Sequence, residues 1–242
     1  MKIKLSNKIL LIAGAVPILF IILMLSAFKF FSSGEVNSQG SSTGVPNQIT
    51  RALPLEGFSE ISVTGVWKVN IFQGKNFLVN ISATESDLDK IRAEKNGNEL
   101  VLDIKEEFKH SKDYERITAD ITLPDLSRIN IMNGVATINL SGLDIDSLSV
   151  KTLGVANISG DKGSIRDLEF DNQGVLRTDL SAIQVTNANI MCNGVFTIEL
   201  LMNGGRLSGN LNGIGSLNYH GDVSENDIRV NGPFSKVVHQ NR

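Results

Sequence analysis

Apolar and polar positions follow three regimes along this 242-residue chain. The first is an unbroken apolar run of 20 residues, Ile9 to Phe28, with no charge and with Ser26 as its one clearly polar side chain. The second begins near Leu55 and alternates. Ile61 and Val63, Val69 and Ile71, Leu78–Ile81, Leu100–Ile104 and Ile117–Leu123 carry the period of two that predicts strands, the last ended by Pro124. Within it, Ser86–Ile91 predicts one short helix with Ser86 or Asp87 as N-cap, and Asn96-Gly97 predicts a tight turn. The third regime starts at Leu126, where the alternation acquires a long period.

That period is marked by Gly134, Gly154, Gly174, Gly194, Gly213 and Gly232, at steps of 20, 20, 20, 19 and 19. The preceding residues are Asn133, Leu153, Gln173, Asn193, Asn212 and Asn231, and the following ones Val135, Val155, Val175, Val195, Ile214 and Pro233. Four positions before the glycine stand Val150, Phe170, Ile190 and Ile228; four after it stand Ile138, Ile158, Thr178, Ile198 and Leu217; six after it stand Leu140, Gly160, Leu180, Leu200 and Tyr219. Apolar residues at even offsets give strands with one inward face, and no repeat holds a helical stripe. A constant period near 20 residues, made of strands and turns, predicts a parallel β-helix. Independent antiparallel hairpins are the rival, and they do not require constant spacing. In this reading the glycine takes a positive φ at a sharp turn, and the asparagines hydrogen-bond along the stack.

The apolar run has the length of a membrane-crossing helix. Lys2, Lys4 and Lys8 precede it and Lys29 alone follows closely, which places the N-terminus in the cytoplasm and the remainder outside. A cleaved signal peptide is the rival, but the run is long for one and Ser26–Phe31 offers no small-x-small cleavage site. No cysteine follows the run, which excludes a lipoprotein anchor. Residues 29–54, with Ser32-Ser33-Gly34 and Ser38–Gly44, read as a flexible tether. The expected order is a cytoplasmic stretch 1–8, a transmembrane helix or uncleaved signal anchor 9–28, the linker 29–54, an N-terminal β region 55–128 and the repeat-bearing parallel β-helix 129–242.

Setting aside Lys2, Lys4, Lys8 and Lys29 from 23 basic residues leaves 19 against 26 acidic, a net of −7 for the exported part. That argues against nucleic acid as a partner and against simple attraction to anionic polysaccharide. Cys192 is the single cysteine, so no intrachain disulfide forms, and it reads as a small core side chain. His110, His220 and His239 lack partners at metal-ligand spacing. Asp144, Asp146 and Asp161 fall in turns where calcium could be met, but the aspartate-bearing nonapeptide of calcium-binding rolls is missing. Gly65 and Gly74 read as turn glycines. The charged stretch Glu106–Arg116 reads as a solvated loop, and Trp67, Phe108 and Tyr114 are the candidate platforms for sugar stacking.

The order of several short motifs resembles the head GIN domain family of auto-transporter adhesins in bacterial envelopes. The motifs are Gly57–Gly65, Val69–Gly74, Asn98–Ile104, Ile121–Leu126 and the glycine repeats, together spanning about Phe58 to Val238. The resemblance implies a right-handed β-helix exposed outside the cytoplasmic membrane, and it implies no catalytic residues. An anchor before the head, with no C-terminal barrel-forming segment, fits an anchored inner-membrane envelope protein better than an auto-transporter. The expected function is therefore an adhesin-like or scaffold head that binds protein or glycan without catalysis, cofactor or metal. Two other classes stay open: a β-helical polysaccharide lyase or glycoside hydrolase, which needs clustered acids on long loops, and a self-assembling structural element stacked through open coil ends.

Overall fold

The computed structural model describes residues 48–105 and 117–240. The expected cytoplasmic stretch, the apolar run 9–28, most of the linker and the Glu106–Arg116 loop with Phe108, His110 and Tyr114 lie outside them. The described chain forms β1 (Gln48–Leu53), β2 (Glu60–Gln73), β3 (Leu78–Thr84), a one-turn helix α1 (Glu85–Leu88), β4 (Ile91–Asn96), β5 (Glu99–Ile104), β6 (Thr118–Leu123), β7 (Arg128–Ser141) and β8 (Leu143–Thr152). It continues with β9 (Val155–Gly160), β10 (Gly163–Asn172), β11 (Val175–Cys192), β12 (Val195–Asn203), β13 (Arg206–Leu211), β14 (Ile214–Asp222), β15 (Glu225–Val230) and β16 (Phe234–His239). The strands wind as a β-solenoid of about 6 turns. Among the described residues no helix is long and apolar enough to cross a membrane.

Successive coils pair in parallel with the period read from the sequence. Gly163 lies beside both Leu143 and Ile183, and Val175 beside both Val155 and Val195. The inward columns are those the even offsets predict: Ile138, Ile158, Thr178, Ile198 and Leu217 stack rung on rung. Phe170 and Phe196 are the largest fully buried side chains, each contributing roughly 1.5–3 kcal/mol of transfer free energy. The drop from 20 to 19 arises at one corner. Leu180 and Ala188 stand eight residues apart, and their rung partners Leu200 and Leu207 seven.

Two local insertions perturb the alignment. Asn133, at φ 42°, has no counterpart in the rung below, where Thr64 and Gly65 face Met132 and Gly134, nor in the rung above. This bulge places Ile129, not Asn130, under Val150. Pro233 is the second insertion: Phe234, not Pro233, lies beside Ile214. A residue without an N–H is suited to being left out of the ladder.

The N-terminal region is part of the solenoid. β2 pairs in parallel with β7 along its whole length, so it is the first full rung. β5 and β6 pair in parallel with its two halves, beneath it. Antiparallel strands then close that end: β4 on β5, β3 on β6 and β1 on β3. Gln48–Leu53, within the stretch expected as linker, are therefore a strand, with Leu53 packed against the core. The β4–β5 turn is centred on Gly97, at φ 60°, and Asn98 rather than on Asn96-Gly97. The helix also starts earlier than expected. Its cap is Thr84, whose Oγ1 accepts from the Asp87 N–H at 3.2 Å.

Candidate functional site: an outward face of the solenoid

The glycine column sets the corner that borders this face. Its first member is Gly65: a Cβ on Gly134 would strike the Gly65 carbonyl oxygen, and the same collision repeats up the column to Gly232 on Gly213. None of the six repeat glycines lies in the left-handed region. The expectation of a positive-φ turn is thus corrected. Glycine is required here because adjacent coils approach until their backbones touch, leaving no volume for a side chain. Three carbonyls in the middle of the column are used: Gly154, Gly174 and Gly194 accept from the N–H of Val175, Val195 and Ile214 at 2.9, 2.9 and 3.0 Å.

One step past this corner an apolar ribbon runs up the outside of the molecule. Val66, Val135, Val155, Val175, Val195, Ile214 and Phe234 stand in register from the first rung to the last. The early members are half-buried, while Val195, Ile214 and Phe234 are 40, 38 and 71 % exposed. The next outward column is hydrophilic: Lys68, Thr137, Asn157, Arg177, Thr197, Ser216 and Lys236. Beyond it an amide ladder ties the lower rungs. Ser159 donates to Asn139, Asn139 to Asn70 and Asn70 to Asp120, at 2.9, 2.7 and 2.6 Å. A shallow depression of about 330 Å³, lined by Asn70, Phe72, Asn139, Ser159 and Asp161 among others, indents this face. On the other flank of the corner Asn231 donates to Asn212 and Asn212 to Asn193, each at 3.0 Å. Asn133 is cut off from that ladder by Leu153 and Gln173.

The remaining faces pair opposite charges from rung to rung. Arg128 meets Glu60 at 2.8 Å, Arg166 meets Asp146 at 3.0 Å and Arg206 meets Asp227 at 3.0 Å. Asn187 donates to Asp167 at 2.8 Å and, with Arg166, holds that carboxyl below the usual carboxylate range.

The residues singled out for chemistry are not brought together. Asp144 accepts from Ser164, Asp146 pairs with Arg166, and Asp161 accepts from Ser141, whose hydroxyl lowers the Asp161 pKa. Among the described residues no three His, Cys, Asp or Glu side chains converge as metal ligands. His220 bonds the Gln240 carbonyl, and His239 stacks on Tyr219 with ring centroids 4.6 Å apart. Cys192 is buried and burial pushes its thiol up to about 12. Trp67 is no sugar platform: it is buried and its indole donates to the Thr64 carbonyl at 2.9 Å. Among the described residues the exposed Phe, Tyr and Trp side chains are Phe72 and Phe234. The relevant signal was the apolar residue after each glycine, which reads in sequence as core.

A parallel solenoid whose coils follow a glycine column, capped at one end by antiparallel strands, defines the class of this protein. The family described as "Putative auto-transporter adhesin, head GIN domain" matches residues 57–233, and the chain belongs to it. Among solved structures, a putative adhesin from Bacteroides fragilis has a TM-score of 0.62 at 16 % identity, covering 82 % of this chain and all (100 %) of that one. A putative adhesin from Parabacteroides distasonis has a TM-score of 0.49 at 13 % identity over 81 % of this chain and 98 % of that chain. A putative lipid binding protein from the same organism has a TM-score of 0.45 at 16 % identity over 80 % of this chain and 97 % of that chain. At such identities the first likeness speaks for the fold alone. No curated protein matches the chain.

Proposed function

We propose that this chain is an exported, membrane-anchored head domain that binds a protein or glycan of the bacterial envelope, without catalysis, through the face beside its glycine column. The apolar ribbon carries this reading. An aliphatic or aromatic side chain recurs outward on every rung, next to hydroxyl, amide and cationic groups, so the face offers an extended strip rather than a pocket. Flat strips of mixed character suit association with another macromolecule. The family description supports an adhesive role. The charge-free run Ile9–Phe28 behind three lysines supports a single inner-membrane span with the head outside the cytoplasm, and parallel strand crossovers are as a rule right-handed.

Photo-crosslinking in the living cell tests the proposal. A photoreactive residue at Thr197, on the strip, captures a discrete saturable partner, and Val195→Asp with Ile214→Asp abolishes the capture without lowering the melting temperature by more than a few degrees. The same probe at Asp146, on a charge-paired face, captures none. Equal capture at both sites, or capture indifferent to the double aspartate variant, contradicts the assignment. Release of new reducing ends or unsaturated sugars from a polysaccharide panel would replace it with the enzymatic reading.

A further inference from the structure

The two ends of the solenoid differ. At the first rung the core is closed by antiparallel strands, by Phe58 and Phe77 with ring centroids 5.1 Å apart, and by Leu88. At the last rung, among the described residues, β15 pairs only with β13 and β16 only with β14. Both therefore present an unpaired backbone edge. The core is open there as well. Val230 belongs to the inward column of Cys192 and Leu211, which are 0 % exposed, yet it is 45 % exposed itself. Ile228 and Val237 are half-buried, and Phe234 stands almost free.

An open rung of a repeat protein requires a cover, and the charges on β15 indicate which. Glu225, Asp227 and Arg229 alternate along its outward side. If a second β15 is laid antiparallel with Ile228 opposite its own equivalent, Asp227 faces Arg229 of the second copy, and Arg229 faces Asp227. The two-fold register centred on Asp227 instead pairs Glu225 with Arg229 twice but sets Asp227 directly against Asp227, and the one centred on Arg229 sets Arg229 against Arg229. Head-to-tail stacking would meet a different surface: the first end is closed by antiparallel strands, edged by β1 and by β4 with its charged Arg92, Glu94 and Lys95.

We infer that two copies of this chain associate tail to tail through their last rungs, β15 pairing antiparallel with β15 about a two-fold axis at Ile228. The arrangement closes on itself, as an isologous contact does, and leaves the lateral strip free on both copies. It is independent of what that strip binds.

Oxidative crosslinking of the full chain in detergent micelles tests it. Cys192 is buried, so an added cysteine reports alone. Ile228→Cys should oxidise to a covalent dimer at several times the yield of Asp146→Cys, since directly opposed residues of an antiparallel pair bring their Cβ atoms to roughly 4.5–5.5 Å. Asp227→Arg and Arg229→Asp, each added to the Ile228→Cys chain, should cut the crosslinked fraction at least fivefold. Mixing the two variants, or combining both reversals in one chain, should restore it. Asp227→Arg also gives up the contact with Arg206; should it fail to fold, Arg229→Asp decides alone, because among the described residues of its own chain Arg229 forms an ion pair only with Asp227, at 3.9 Å. No crosslink at position 228, or a crosslinked fraction unchanged by the reversals, overturns the inference.

Discussion

Adding one methyl group at Gly174 tests why the repeat has a glycine at all. A Cβ there would lie against the Gly154 carbonyl oxygen and about 2.9 and 3.0 Å from the Leu153 and Gly154 carbonyl carbons. All three are backbone atoms, so no side chain can swing aside. The rungs must separate locally, which stretches the 2.9 Å bond from the Val175 N–H to that same oxygen. Overpacking typically costs about 1–3 kcal/mol, and a hydrogen bond lost with its partners part-buried about 1–3 kcal/mol. Gly174→Ala should therefore destabilise the head by about 2–6 kcal/mol, read from the urea midpoint by circular dichroism. Gly204 is the control: it has φ 82° and nothing within 4 Å of its missing Cβ. There alanine pays only the left-handed penalty, about 1–2 kcal/mol, and asparagine less. Asparagine separates the two explanations. It relieves left-handed strain but not a collision, so Gly174→Asn should be at least as damaging as Gly174→Ala, whereas Gly204→Asn should be milder than Gly204→Ala. A Gly174→Asn variant close to wild type would show that conformation, not space, selects the glycine.

Three further outcomes are expected. Asn212→Ala removes the middle of an exposed amide ladder, with its bonds to Asn193 and Asn231, and should lower stability by about 1 kcal/mol, read from the urea midpoint. Cys192, buried with its thiol raised to about 12, should resist alkylation at pH 8 in the folded chain and react once urea unfolds it, as mass spectrometry would record. The Asp161 and Asp167 carboxyls are held low by Ser141 and Asn187. A carboxylate depressed by folding adds stability above its unfolded pKa, about 4, and that stability is lost as pH falls through the folded value. Melting temperature should thus stay level from pH 7 to 5 and drop below about 4, with a shallower acid drop in Asp167→Asn.

The period was legible because every coil must place the same corner over the same corner, and only glycine fits there. The reason for the glycine was not legible, since a chain read in one dimension does not show the carbonyl of the coil 20 residues earlier. The first rung was hidden for a similar reason. Gly65 and Val66 belong to the glycine and apolar columns, but the residues between β2 and β7, including the antiparallel cap, break the spacing to 68 or 69. Single-residue insertions at Asn133 and Pro233 misplaced two neighbours and hid Phe234 as the end of the ribbon. The face itself was invisible to composition. A valine beside a turn glycine reads as buried, and whether it faces the core or solvent depends on the register that the corner imposes. Trp67 shows the converse, an aromatic suited to sugar by type but held inside by the core.

Unbroken columns run along one side of the parallel stack, and pulsed spin-label distances measure them directly. Lys68 shares its column with Thr197, Ser216 and Lys236, which lie four, five and six rungs away. At ~4.8 Å per rung, labels on Lys68 paired with each in turn, diluted with unlabelled chain, should give distances near ~19, ~24 and ~29 Å. Equal increments in that order are the signature of the solenoid. Distances that fail to grow from Thr197 to Lys236 would contradict it.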